Sequence, residues 1–250
     1  MLPPSLNRTA GFICKGGVSV RIKVYQIDHE KDEKGVKFMP REYAGEHGGI
    51  DPFVYKTAFY GDVEAKNLED IFRIFNTDEI PGTHQGHSLS VSDIVEVLDN
   101  VPSVENGCYF CDSVGFEKVD FDSSQCADMA GKRVLFVMPH HTPVEIRIGN
   151  DLKSMQRAVG GLIEMICPFE DESAILVCDE EGKLNGMEGN RRLEGDVIAG
   201  PFFIIRDDGE GGTTDLTDEQ VQKYANRFAE PEEISPEEIE DHLGFTFTSM

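Results

Sequence analysis

The chain has 250 residues, 39% of them hydrophobic and 28% charged, enough for one large domain or two ordinary ones. Its formal charge of −24 opposes binding to nucleic acid or anionic lipid, where Lys and Arg must neutralise phosphates, and favours basic partners. Every apolar run falls short of the ~18–20 residues of a membrane helix. The start, MLPPSLNRTAGFICKGG, shows no apolar segment leading to a cleavage motif, so a cytoplasmic location and no membrane contact are expected. Six cysteines are then expected as reduced thiols, not as a disulfide framework.

Residues 1–17 are expected as an N-terminal extension. In VSVRIKVYQID (Val18–Asp28), Val18, Val20, Ile22 and Val24 alternate with polar neighbours, the pattern of a half-buried strand. FVYKTAFYGDV (Phe53–Val63) is aromatic and β-branched and predicts a second strand. NLEDIFRIFNT spaces Leu68, Ile71, Phe72 and Phe75 as one stripe of a helix capped by Asn67. The loop DEIPGTHQGH leads to SLSVSDIVEVLD and GCYFCDSVGFEKVDF, expected as paired strands, so the first unit reads β-β-α-β-β.

DSSQCADMAGKR (Asp122–Arg133) is small and polar and marks a boundary. Beyond it RVLFVMP, PVEIRIG, LIEMICPFE, AILVCDEEG and GDVIAGPFFIIRDD predict strands, mostly antiparallel, with Asn150 or Asp151 capping the short helix LKSMQRAVGG. From Asp207 to Asp241 there are thirteen acids and two bases, Lys223 and Arg227. Two helices are expected there: Thr217 precedes Gln220 by three, and Ser235 precedes Glu238 by three with Pro236 between them. Strands and helices mix without strict βαβ alternation, so the expected class is α+β: two small mixed domains and an acidic helical tail.

Few patterns carry chemistry. Cys108 and Cys111 form a CxxC, but in a predicted strand, where positions i and i+3 point to opposite faces, and without a second ligand pair for zinc. His84 and His87 share a loop with Ser88, Ser90, Ser92 and Asp93; the residue types suit a triad, yet GxSxG is absent and the serines read as the wet face of a strand. HExxH, Walker, Rossmann and EF-hand patterns are absent. No catalytic residue, metal ligand or cofactor is assigned, and binding is expected ahead of bond-making chemistry.

The stretch CDEEGKLNGMEGNRRL (Cys178–Leu193) gathers Lys183, Asn185, Asn190, Arg191 and Arg192 in a Gly-rich connection. These five are the candidate ligand-binding residues, because guanidinium forks suit carboxylates and phosphates such as those of a nucleotide. The competing reading pairs the cations with Asp179, Glu180, Glu181 and Glu194 and leaves the glycines to turn the chain.

Two resemblances follow from these residues. VYQID, VYKTAFYGDV, LEDIFRIFN, GHSLSVSDIVEV and YFCDSVGFEKVDF make Val18 to Phe121 resemble the YodL-like domain. MQRAVGGLIEMI, AILVCDEEGKLNG, NRRL and GDVIAGPFFII make Arg133 to Asp207 similar to a family named as a domain of unknown function, number 3846. The expected organisation is an extension at 1–17, a YodL-like domain at 18–123, the second domain at 133–208 and the acidic tail at 209–250. The resemblance transfers no catalytic residue. It implies an accessory protein of a phage or conjugative element, of anti-defence or anti-restriction type, that engages a host or element-encoded protein.

Overall fold

The computed structural model describes residues 18–99 and 103–242; the expected extension at 1–17 and the end of the tail at 243–250 lie outside the described residues. The class is α+β. In the first half, β1 (Val18–Ile27), β2 (Tyr55–Ala65), β3 (Ile94–Val97), β4 (Gly107–Cys111) and β5 (Phe116–Val119) form an antiparallel sheet in the order β2-β1-β3-β4-β5. Helix α1 (Arg41–Glu46) lies between β1 and β2, and α2 (Leu68–Ile74) follows β2. Asn67 caps α2 as its sequence predicts, accepting a bond from Asp70 N at 2.8 Å.

β1 alternates buried and partly exposed positions from Val20 to Lys23 and is buried on both sides from Val24 to Ile27. Val20, Ile22 and Val24 pack with Leu68, Ile71 and Phe75, while Tyr25 and Ile27 pack with Ala44 and Phe121. Two expected strands are reshaped. SLSVSDIVEVLD is extended only at Ile94–Val97, because Ser92 takes φ +79° and Asp93 N closes a turn onto Ser90 O at 3.1 Å. GCYFCDSVGFEKVDF is two strands, β4 and β5, joined where Gly115 adopts φ +72°.

In the second half, β6 (Lys132–Val137), β7 (Val144–Ile148), β8 (Ile163–Ile166), β9 (Ala174–Asp179) and β12 (Phe202–Asp207) form a sheet in the order β7-β6-β12-β9-β8, again antiparallel, with the short β13 (Thr213–Thr214) on β12. β10 (Gly189–Leu193) and β11 (Asp196–Ala199) make a separate hairpin. Both faces of the sheet are covered, which explains why AILVCD is buried throughout. Met155, Ala158 and Val159 of α3 (Leu152–Val159) cover one face; the other takes Leu193 and Ile198 of the hairpin with Leu216, Tyr224 and Phe228. Tyr224 lies in α4 (Asp218–Arg227), so this part of the expected acidic tail is core-forming. The capping box at Thr217 and Gln220 and the Ser235 cap of α5 (Pro236–Asp241) form as their spacing predicts.

The halves touch. Tyr60 of β2 packs against the second core, and Gln85 Nε2 donates to Arg147 O at 2.6 Å. Arg21 grips Asp62 with two bonds of 2.8 Å and reaches Thr142 Oγ1 at 3.0 Å, while His141 Nδ1 lies 3.4 Å from Asp62 Oδ2. Burial works to raise the Asp62 pKa, but the bonds from His141 and Arg21 outweigh it and hold the carboxyl at about 2.

Candidate functional site

The five predicted ligand residues do not converge on one pocket. NRRL, expected within a connection, is strand β10, and its register against β11 slips between Gly189 and Arg191. The bulge leaves both Asn190 and Arg191 inward. Asn190 Nδ2 donates to Val137 O at 3.0 Å and Gly200 O at 2.8 Å. Arg191, 1% exposed, has no carboxylate within ion-pair reach among the described residues; it donates to Asn190 O and Oδ1, His141 O and Phe228 O at 2.8–2.9 Å. Burial lowers its pKa, opposed by Glu232, and a guanidinium stays charged through such a shift. It therefore clamps three elements together and caps α4 at the negative end of its dipole.

The other three point elsewhere. Arg192 is held by Glu238 at 2.6 and 2.7 Å and by Glu232 at 2.8 Å. Lys183 pairs with Asp196. Asn185 is exposed in a turn closed by its N–H on Glu181 O at 2.8 Å. The nearby carboxylates Asp179, Glu180 and Glu181 are not the partners, and Glu194 faces Arg227; the partners come from β11 and from forty and forty-six residues downstream. The surface offers shallow concavities, among them an open dish of about 780 Å³ beside Lys153, Arg157 and Leu162 and an open cleft of about 310 Å³ between the halves beside Lys23, Tyr60 and Arg133. Neither reaches the five residues.

In the C-terminal region the acids outnumber their partners. Glu219, Glu230, Glu237, Glu240 and Asp241 are exposed, and among the described residues none has a cation within ion-pair distance.

A buried polar cluster sits in the first sheet, around residues whose types had suggested a triad. Asp93 is 0% exposed; its Oδ2 accepts from Gln26 Nε2 at 2.9 Å and Ser90 N at 2.8 Å, and its Oδ1 has no donor. Burial outweighs these bonds and pushes the Asp93 pKa up to about 7. Gln26 also pairs with the backbone of His87, donating to its carbonyl at 2.8 Å and accepting from its N–H at 3.1 Å. Gly86 permits that approach, since a Cβ there would fall 1.9 Å from Gln26 Oε1.

His84 Nε2 donates to His87 O at 2.8 Å, and burial pulls both imidazole pKa values down. Two non-glycine residues at positive φ close the cluster: Phe38 (φ +65°), whose N–H donates to Ser92 Oγ at 2.8 Å, and Ser92 itself (φ +79°). Ser90 Oγ donates to Ser88 O, so the triad geometry of a serine on a histidine is not formed. The arrangement can store a proton near neutral pH. Sequence spacing named its histidines and Asp93 but could not supply Gln26, which lies 67 positions from Asp93.

Burial raises the thiols of Cys108, Cys111 and Cys126 to about 12. Among the described residues there is no cluster of three or more His, Cys, Asp or Glu side chains placed to hold a metal, and no helix long and apolar enough to cross a membrane.

Comparison with known proteins finds two families. Residues 21–121 match the model of the YodL-like domain, and residues 132–229 match that of a domain of unknown function, DUF3846. No curated protein and no solved structure gives a significant match. The buried Asp93 cluster thus lies in the region matched by one model and the Arg191-clamped sheet in the region matched by the other: the chain shows a match to the YodL-like domain followed by a match to DUF3846.

Proposed function

We propose that this is an accessory protein of a mobile genetic element that binds a host protein of basic surface, with an anti-defence or anti-restriction role in the cytoplasm. The observation that carries the reading is how charge is distributed. Several cations of the second domain are consumed internally, Arg192 on Glu232 and Glu238, Lys183 on Asp196 and Arg133 on Glu145 and Asp218, while Lys153, Arg157 and Lys223 stay exposed. Acids such as Glu219, Glu230, Glu237 and Glu240 remain exposed, with no cation in ion-pair range among the described residues. Carboxylates so presented can occupy a surface that otherwise receives phosphates. The resemblance to families of phage and conjugative-element proteins supports the same role. A ligand site at Lys183–Arg192 loses its support, because two of its cations are ion-paired and the third is sealed in the core.

The test compares the protein with a variant carrying Glu219→Gln, Glu230→Gln, Glu237→Gln and Glu240→Gln. The unsubstituted chain is expected to retain a basic nucleic-acid-binding host protein that duplex DNA displaces, and the variant to lose it. Equal capture by both, or by neither, ends the proposal.

A further inference from the structure

α4 and the segment that follows it are held in different ways. α4 ends inside the core, with Tyr224 at 0% and Phe228 at 3% exposure and Arg191 on the Phe228 carbonyl. Residues 230–242 bury only Ile234 and Ile239, in a small cluster completed by Val197 of the hairpin. The remaining attachment is polar. Arg192 reaches Glu232, Glu238 and, at 3.2 Å, the Glu233 carbonyl; His140 Nδ1 lies 3.5 Å from Glu233 Oε1; His242 Nε2 lies 3.2 Å from Gly195 O.

The hairpin is shaped to receive this segment. Gly189 leaves room where Ile234 sits, since a Cβ there would lie 2.5 Å from Ile234 Cβ. Val197 supplies the apolar floor, and the Arg192 fork takes one carboxylate from either side of Ile234. The DUF3846 match contains this surface and stops at residue 229, so the segment that covers it lies outside the matched region.

We infer that the face formed by Gly189, Arg192 and Val197 is a docking site for an acidic segment of pattern Glu-x-Ile-x-x-x-Glu-Ile on a partner protein. Residues 230–242, which carry that pattern at Glu232, Ile234, Glu238 and Ile239, occupy it as a displaceable latch. Exposed ion pairs add little net stability, and two isoleucines are a small return for ordering the whole segment, so the latch opens without unfolding the domain. Tethering favours the latch through its effective concentration, which a partner overcomes with contacts beyond the pattern. The inference concerns the face beneath this segment, whereas the proposed acidic-surface function uses Glu230, Glu237 and Glu240 on the segment's exposed side, so the peptide assay and the capture assay read different surfaces.

The probe is a labelled peptide, EPEEISPEEIEDH, and the protein is the full chain. With Ile234→Asp and Ile239→Asp the latch is released, and this variant should bind the peptide at least about tenfold more tightly than the unsubstituted chain. Adding Arg192→Glu should abolish binding, and a scrambled peptide of the same composition should not bind. The inference is overturned if the released variant binds no better than the unsubstituted chain, if Arg192→Glu leaves binding intact, or if the scrambled peptide binds equally. Should the released variant not fold, hydrogen exchange on the unsubstituted protein decides. Amides of Glu238–His242 exchanging about a hundredfold faster than those of Tyr224–Phe228 support a latch, and equal protection refutes it.

Discussion

Replacing Asp93 with Asn should turn a pH-dependent liability into a pH-independent contact. The buried carboxyl titrates at about 7 in the fold against 3.8 for an ordinary one. A group whose folded pKa is raised stabilises fully below its unfolded pKa and loses that contribution as pH climbs through the folded one. Linkage applied to these two values gives a loss of about 3 kcal/mol between pH 5 and pH 8. Asn keeps an oxygen for Gln26 Nε2 and Ser90 N and carries no charge at any pH. His84 and His87, with lowered pKa values, pull the other way: they favour the fold above the ordinary imidazole range and oppose it on acidification. His84 makes no contact with Asp93 and cancels in the difference; His87 Nδ1 lies 3.8 Å from Asp93 Oδ2, so the difference reads Asp93 together with its coupling to His87. Urea unfolding of the two proteins at pH 5, 6, 7 and 8, followed by circular dichroism, should show the Asp93→Asn variant gaining steadily on the parent as pH rises. A stability difference that stays flat across this range would refute burial as the force acting on Asp93.

Arg191→Met should cost about 3 kcal/mol or more, since His141 O, Phe228 O and the Asn190 oxygens lose their donor in the core; thermal unfolding measures it. Gly86→Ala should destabilise by about 1–3 kcal/mol, because the new methyl must displace Gln26 from His87; a Gln26→Ala background should absorb much of that cost in a double-mutant cycle. Among the described cysteines, iodoacetamide at pH 8 should label exposed Cys167 first and leave Cys108, Cys111 and Cys126 nearly untouched until urea is added, as peptide mass mapping will show.

Local signals in the sequence account for the elements that local physics decides. Alternation at Val20, Ile22 and Val24 found β1, and the caps at Asn67, Thr217 and Ser235 found their helices. What escaped depends on partners far along the chain. Ser88–Asp93 alternates like a strand, yet its conformation is set by Gln26 and Phe38, more than fifty positions away. Arg191 and Arg192 are neighbours of the same type; the bulge before Arg191 turns it inward beside Asn190, and ordinary strand alternation then puts Arg192 at the surface. Spacing leaves Arg192 in a connection and cannot name Glu232 and Glu238 as its partners.

The turn between β6 and β7 serves two masters. The His141 ring faces Asp62 of the first sheet while its backbone oxygen receives Arg191, and its neighbour His140 already sits at φ +63°. Lengthening the chain there by one residue would put ring and carbonyl out of phase together, loosening the seam between the halves and the clamp on α4 in one stroke. The glycine-rich bend at 209–212, where a Cβ at Gly209 or Gly211 would meet no atom within 4 Å, carries no such double duty. A tag, a fluorophore loop or a split-protein junction belongs at that bend, and the histidine corner is where graft tolerance ends.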